Sequence, residues 1–170
     1  MKIAIIVAMA ENRVIGRGGK IPWKIPADMK HFVELTAGHP VIMGRKTYSS
    51  IPEKFRPLDK GRTNIVMTRH PSQIDFNLDG VQLADSPVDA LAQAIMEDDQ
   101  IIFIAGGSEV YELLLPQVDT IFLTRVCAQI YGDSFFPKLP DNIWKLKEQS
   151  EKIQSNKDQF PIMFKTLVRQ

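Results

Sequence analysis

Eight consecutive apolar residues, Ile3 to Ala10, follow Met1-Lys2, and neither a surface helix nor a half-buried strand can absorb them. A surface helix returns polar residues every three or four positions, and a half-buried strand alternates. A run that does neither has to be covered on both faces, as in the middle of a parallel sheet. The run superficially resembles a secretory signal ending in small residues. Such signals, however, extend over about 15–30 residues behind a more basic opening. Nor does this or any other apolar run approach the roughly 20 residues needed to cross a membrane.

Alternation along the chain supports that placement. Strand-like runs fall at Ile3–Met9, Pro40–Met43, Asn64–Thr68, Val81–Ala84, Gln100–Ala105, Thr120–Val126 and Pro161–Val168, with helical patterns at Ala27–Thr36, Arg45–Ser50, Val88–Met96 and Ser108–Leu114. Strands alternating with helices predict an α/β fold with a mostly parallel sheet covered on both sides. The expected architecture is one domain over residues 1–170: about eight strands, an antiparallel C-terminal hairpin and four flanking helices. The third helix has a clear start, with Ser86 as N-cap, Pro87 at the first helical position and Asp89 three residues after the cap. Its expected core face is Val88, Leu91, Ala92 and Ile95. Glu53–Gly61 reads as a polar loop and Gln149–Gln159 as a charged connection before the last strand.

Composition narrows the function classes. A formal net charge of +1 gives no basic footprint for nucleic acid. The single cysteine, Cys127, cannot close an internal disulfide, so a reducing cytoplasm is expected, with the thiol in the core. A monomer is expected because no apolar stripe is left over.

Pro22-Trp23-Lys24-Ile25-Pro26-Ala27-Asp28 delivers an acid to a ligand. Pro26 suits the first turn of a helix. At about 100° per residue, Ile25, Met29, Phe32, Val33 and Thr36 then form a stripe flanked by Asp28 and Leu35, while Lys30, His31 and Glu34 face water. A carboxylate beside that stripe loses its water unless something pairs with it. As an N3 acid, Asp28 also favours the helix dipole.

Three strand ends share one chemistry. Pro40–Met43 runs into Gly44-Arg45-Lys46-Thr47, Ile101–Ala105 into Gly106-Gly107-Ser108-Glu109, and Asn64–Thr68 ends at Arg69. Helix N-termini with bare amides and cations take phosphates, and ligands of open α/β sheets sit beyond the carboxyl ends of the strands. Together these features suggest a ligand with a diphosphate and a further phosphate, NADPH rather than NADH. The six-residue Rossmann glycine fingerprint and the Walker lysine motif are absent. Arg62, at the start of the third strand run, carries a fork that matches a carboxylate, although spacing alone does not single it out.

The ordered set Ile5-Ile6-Val7-Ala8, Asn12-Arg13-Val14-Ile15-Gly16, Ile21-Pro22-Trp23, Pro26-Ala27-Asp28-Met29 with Phe32, Val41 to Thr47, Gly61-Arg62-Thr63-Asn64, Ala105-Gly106-Gly107, Val110-Tyr111, Leu123-Thr124 and Gly132 to Pro137 resembles dihydrofolate reductase over nearly the whole chain. The acid is Asp where animal members carry Glu, so the likeness is to the bacterial type. The resemblance implies NADPH-dependent reduction of 7,8-dihydrofolate to tetrahydrofolate, and antifolates as competing ligands.

By the same resemblance, Asp28 holds the pterin N3 and 2-amino edge, Thr124 bonds both, and Trp23 anchors a water. Ile6 and Ala8 line the pteridine slot; Met29, Phe32, Ile51 and Leu58 pack the ring and benzoyl group; Arg62 clamps the glutamate α-carboxylate. Ala8, Ile15, Gly16, Ile21 and Tyr111 surround the nicotinamide, with Tyr111 counted with Asp28, Trp23 and Thr124 in the catalytic set. Gly44, Arg45, Lys46, Thr47, Thr68 and Arg69, with Ala105, Gly106, Gly107, Ser108, Glu109 and Val110, hold the rest of the cofactor, the Gly106–Gly107 bond being cis. No metal is implied. Ala10–Lys24 is the implied lid. Ser108 departs from the third glycine of many relatives, and Glu53–Lys60 is longer than in compact bacterial ones. Two other readings remain at this level: a pyrimidine reductase sharing the sheet, and a pterin-binding module without catalysis.

Overall fold

The computed structural model describes residues 1–74, 80–97 and 100–170. The double-sided apolar run becomes β1 (Lys2–Ala10), with Ala4 and Ile5 fully buried. It lies between β6 (Ile101–Ile104) and β7 (Thr120–Val126), parallel to both. Beyond β6 come β3 (Pro40–Gly44), β4 (Thr63–Met67) and β5 (Val81–Ala84), all parallel. On the other side, β10 (Ile162–Arg169) runs antiparallel to β7, and β9 (Trp144–Gln149) antiparallel to β10. The eight-stranded order is β5-β4-β3-β6-β1-β7-β10-β9. The expected α/β sheet and its antiparallel C-terminal pair are therefore present.

Alternation along β1 divides the core. Ile5, Val7 and Met9 enter a cluster with α3 (Pro87–Met96) and α4 (Ser108–Leu114), while Ala4 and Ile6 face Phe32 and Leu35 of α1 (Pro26–Thr36) and Tyr48 of α2 (Arg45–Ser50). Successive strand side chains point to opposite faces, so one apolar run serves both layers.

Several expectations are corrected. β9 forms although Lys145–Gln149, all of it but the buried Trp144, is exposed and mostly polar, because backbone pairing with β10 at the sheet edge needs no apolar pattern. The three-residue β2 (Val14–Gly16) and the two-residue β8 (Ser134–Phe135), too short for any periodicity, pair to anchor the lid segment. His31 is half-buried rather than fully in water: its ring stacks on Phe164 of β10 at 3.9 Å. Cys127 is only partly buried, past the end of β7, rather than in the core.

Helix α3 starts as expected. The Ser86 hydroxyl accepts from Asp89 N at 3.2 Å, and Asp89 accepts from Asp85 N at 3.1 Å. Its buried face is different, however. Ala90 and Ala94 are fully buried and Leu91 packs beside them, whereas Val88 is 78% exposed and Ile95 47%. Small alanines let the helix sit close on the sheet, and Gln93 Nε2 donates to Leu83 O at 2.8 Å. Val88, Ala92 and Ile95 thus form a leftover apolar stripe, so the sequence argument for a monomer does not hold.

Candidate active site

The carboxyl ends of β1, β3, β4 and β6 open into a cleft of about 1320 Å³, larger than the roughly 300–1,000 Å³ that one small ligand fills. Every residue singled out from the sequence lines it except Thr124. Thr124, on β7, is 3% exposed and reaches the cleft only by hydrogen-bonding Asp28.

Asp28 projects from the first turn of α1. Its own N–H donates to Ile25 O at 3.0 Å, and Pro26 stands at the helix start. Burial pushes its pKa above the usual carboxylate value; the Thr124 hydroxyl opposes this, and the charge of Asp158 adds to it. Met29, one residue on, is 53% exposed because it faces the cleft instead of the core. Trp23 is buried, yet its Nε1 has no partner among the described residues. Tyr111 is buried, donates from its hydroxyl to Ile6 O at 2.8 Å, and is kept protonated by desolvation and by the charge of Asp28.

At the opposite end of α1 the Arg62 side chain is only 3% exposed. Its Nε donates to Asp59 O at 2.7 Å, Nη2 to Asp59 Oδ1 at 3.0 Å and Nη1 to Thr36 Oγ1 at 3.3 Å. The guanidinium is thus aimed along the wall formed with Phe32 and Leu58.

The two glycine turns meet on the other side. Gly44 N donates to Gly106 O at 2.8 Å, and Ala105 N to Ile42 O at 2.9 Å, so the starts of α2 and α4 lie side by side. The Gly106–Gly107 peptide is cis. A Cβ at Gly44 would come within 3.1 Å of Val110 Cγ2, and one at Gly106, where φ is +103°, within 3.0 Å of the Tyr111 ring. At Gly106 the positive φ and the ring leave room only for a bare backbone, and at Gly44 a side chain would have to push Val110 aside. Arg45, Lys46, Thr47, Thr68 and Arg69 rim this half, with Arg69 ion-paired to Glu109. His70 stands on the same rim. The sequence reading overlooked it, although it directly follows Arg69 beyond β4.

The lid is held at both ends. Gly18 N donates to Asp133 Oδ2 at 3.0 Å and Asp133 N to Gly16 O at 3.1 Å. Gln159 N donates to Lys24 O at 3.0 Å, and Lys24 N returns a bond to Gln159 Oε1 at 3.1 Å. Ile15, Gly16 and Ile21 thereby face the cleft.

Residues 2–169 match the family described as dihydrofolate reductase. The chain belongs to the dihydrofolate reductase family. It is 40% identical over 170 residues to dihydrofolate reductase type 3 of Salmonella typhimurium, covering 100% of this chain and 99% of that one. It is 37% identical over 169 residues to the Haemophilus influenzae enzyme, covering 99% of each. Among solved structures, dihydrofolate reductase from Enterococcus faecalis, complexed with NADP(H) and RAB-propyl, superposes with a TM-score of 0.85 at 32% identity, over 99% of this chain and 96% of that one.

Proposed function

We propose that the chain reduces 7,8-dihydrofolate to 5,6,7,8-tetrahydrofolate with NADPH, the pterin lying against Asp28 and the cofactor against the two glycine turns. The observation that carries this reading is a partly desolvated carboxylate, braced by Thr124, in the same cleft as the Gly44 and Gly106–Gly107 cradle. The bare backbone and the cations Arg45, Lys46 and Arg69 suit a phosphorylated dinucleotide. When bound, NADPH supplies the hydride that pterin C6 receives.

The chain's own groups bind, orient and exclude water. Asp28 accepts from pterin N3 and the 2-amino group, an amidine-like edge that one carboxylate satisfies with two bonds. Thr124 fixes the carboxylate's orientation from below. The unpartnered Trp23 Nε1 donates to a water beside the pterin 4-oxygen. Asp28 lies on the edge of the ring remote from N5, so it polarises the ring and water delivers the N5 proton. Ile6, Ala8, Phe32, Ile51 and Leu58 form the dry walls, and Tyr111, Ile15 and Gly16 surround the nicotinamide. Arg62 clamps the α-carboxylate of the glutamate tail.

Antifolates compete for the same slot. The working unit is a cytoplasmic monomer, the cleft being complete within one chain. The deciding experiment is loss of absorbance at 340 nm with NADPH and dihydrofolate. Binding of both without absorbance loss would leave only a pterin-binding module.

A further inference from the structure

Helix α1 begins with a residue that cannot cap it: Ile25 offers no side-chain hydrogen bond to the first turn. That bond arrives from the connection between β9 and β10. Asp158 Oδ1 accepts from Ala27 N at 3.1 Å, across 131 residues of sequence. Its Oδ2 accepts from Ser155 N at 2.7 Å, its own N–H donates to Ser155 O at 3.1 Å, and Gln154 Nε2 donates to its carbonyl at 3.1 Å. The residue is 5% exposed. Immediately after it, Gln159 holds Lys24 by the two bonds already described. A tight loop therefore grips residues 24–27, directly ahead of Asp28.

A cap alone does not require this residue type, since asparagine caps as well as aspartate. What aspartate adds is a second buried negative charge beside Asp28. The groups that face Asp28 come from three elements: the Thr124 hydroxyl from β7, the Tyr111 phenol from α4, and Asp158 from the loop. Thr124 favours the ionised Asp28, whereas burial and Asp158 favour the protonated one. Asp158 itself stays ionised. Burial works against its charge, but the Ser155 side chain, the Ser155 amide and the Ala27 amide outweigh that and hold its pKa below the usual value.

We propose that Asp158 is a positioning residue for substrate binding: it fixes the first turn of α1, and with it the Asp28 carboxylate, against the cleft, and sets a permanent negative charge beside that carboxylate. The proposal rests on the reading of Asp28 as the group that binds the substrate ring. It separates two effects of one side chain. The cap controls where Asp28 sits, and the charge controls how tightly Asp28 holds its proton before substrate arrives.

The test uses the full chain with Asp158→Asn, Asp158→Ala and Gln159→Ala, read by carboxyl ¹³C NMR titration of Asp28 in the free protein and by steady-state kinetics. Asp158→Asn should move the Asp28 midpoint down, because it removes a neighbouring negative charge and keeps the cap. Asp158→Ala should in addition raise the KM for dihydrofolate roughly 3–10-fold, the size of a lost cap, with the KM for NADPH within about twofold of wild type. Gln159→Ala loosens the same segment without altering charge and should leave the midpoint in place.

An unmoved midpoint in Asp158→Asn overturns the proposal. So does an equal rise of both KM values in Asp158→Ala, which would make the residue a general structural brace. If the Asp158 variants do not fold, Asp158→Ser, a smaller neutral cap, is titrated in their place, and an Asp28 midpoint that stays at its wild-type position refutes the coupling. The titrations use no substrate, so a wild-type protein that fails to oxidise NADPH with dihydrofolate would refute the proposed function and leave these readings intact.

Discussion

Arg62→Leu tests the tail clamp most directly, because the structure states how many bonds the side chain has left to give. A guanidinium carries five N–H donors. Three are committed here, to Asp59 O, Asp59 Oδ1 and Thr36 Oγ1, which leaves two for a bidentate carboxylate. The side chain is already immobile at 3% exposure, so little entropy is lost when the substrate tail arrives. A hydrogen bond to a charged partner is worth about 1.5–3 kcal/mol, and removing the pair should raise the KM for dihydrofolate about 10- to 150-fold. Leucine fills much of the same space, and Thr36 keeps its bond to Phe32 O at 2.7 Å, so α1 should stay in place and kcat should change far less than KM. The assay is steady-state oxidation of NADPH at 340 nm, paired with fluorescence titration of a pterin that lacks the glutamate. Wild type and variant should bind the truncated pterin alike. Equal weakening of both ligands would show that Arg62 merely supports the wall, and the clamp would be refuted.

Asp28→Asn should lower dihydrofolate reduction by roughly 10²–10⁴ near neutral pH while leaving NADPH affinity intact, and should recover rate in acid, where substrate arrives protonated; a flat pH profile or wild-type activity refutes this. The same variant should melt higher at pH 7. A carboxyl whose folded pKa is raised adds stability below its unfolded pKa and loses it as pH rises through the folded one, so at neutral pH the ionised Asp28 is a burden that asparagine lifts. Each tenfold change in proton affinity is worth about 1.4 kcal/mol, so calorimetry across pH 3–8 should show the gain only above the acid range. NADPH should be preferred over NADH, with the preference falling about tenfold in Arg45→Ala or Arg69→Ala; both side chains are exposed, so high salt should shrink it. Unchanged ratios would remove these two residues from phosphate recognition. Gly132→Ala places a Cβ 2.3 Å from Val14 Cγ1 and 2.6 Å from Gly16 O, so β2 and the Asp133 clamp must shift; overpacking of this kind costs about 1–3 kcal/mol, and an unchanged melting temperature and rate would contradict it.

The chain's order along the sequence was enough for the sheet and for the strand ends that open into the cleft. Ile3–Met9 had to be buried on both faces, and β1 is the strand that separates the two core clusters. Pro26 and Asp28 had to begin a helix, and the Ser86 cap had to begin another, because caps and prolines act within one turn. The glycines after β3 and β6 marked the two turns that meet at the cleft, because strand-to-helix junctions are also local.

What the tertiary structure alone decided involves partners far apart in sequence. Helix α3 exposes Val88 and Ile95 and buries Ala90 and Ala94, since periodicity marks an apolar face without saying how closely a sheet will approach it. β9 exists because β10 offers it a ladder, and His31 is half-buried because Phe164 stacks on it. Spacing alone left Arg62 an ordinary surface cation, and only the fold sets Thr36 and Asp59 against it. Asp158 lies within a charged connection with nothing local to mark it, and only folding sets it against Ala27. Backbone propensity and side-chain period act over a few residues, whereas a desolvated carboxylate takes its properties from whatever the fold brings to it.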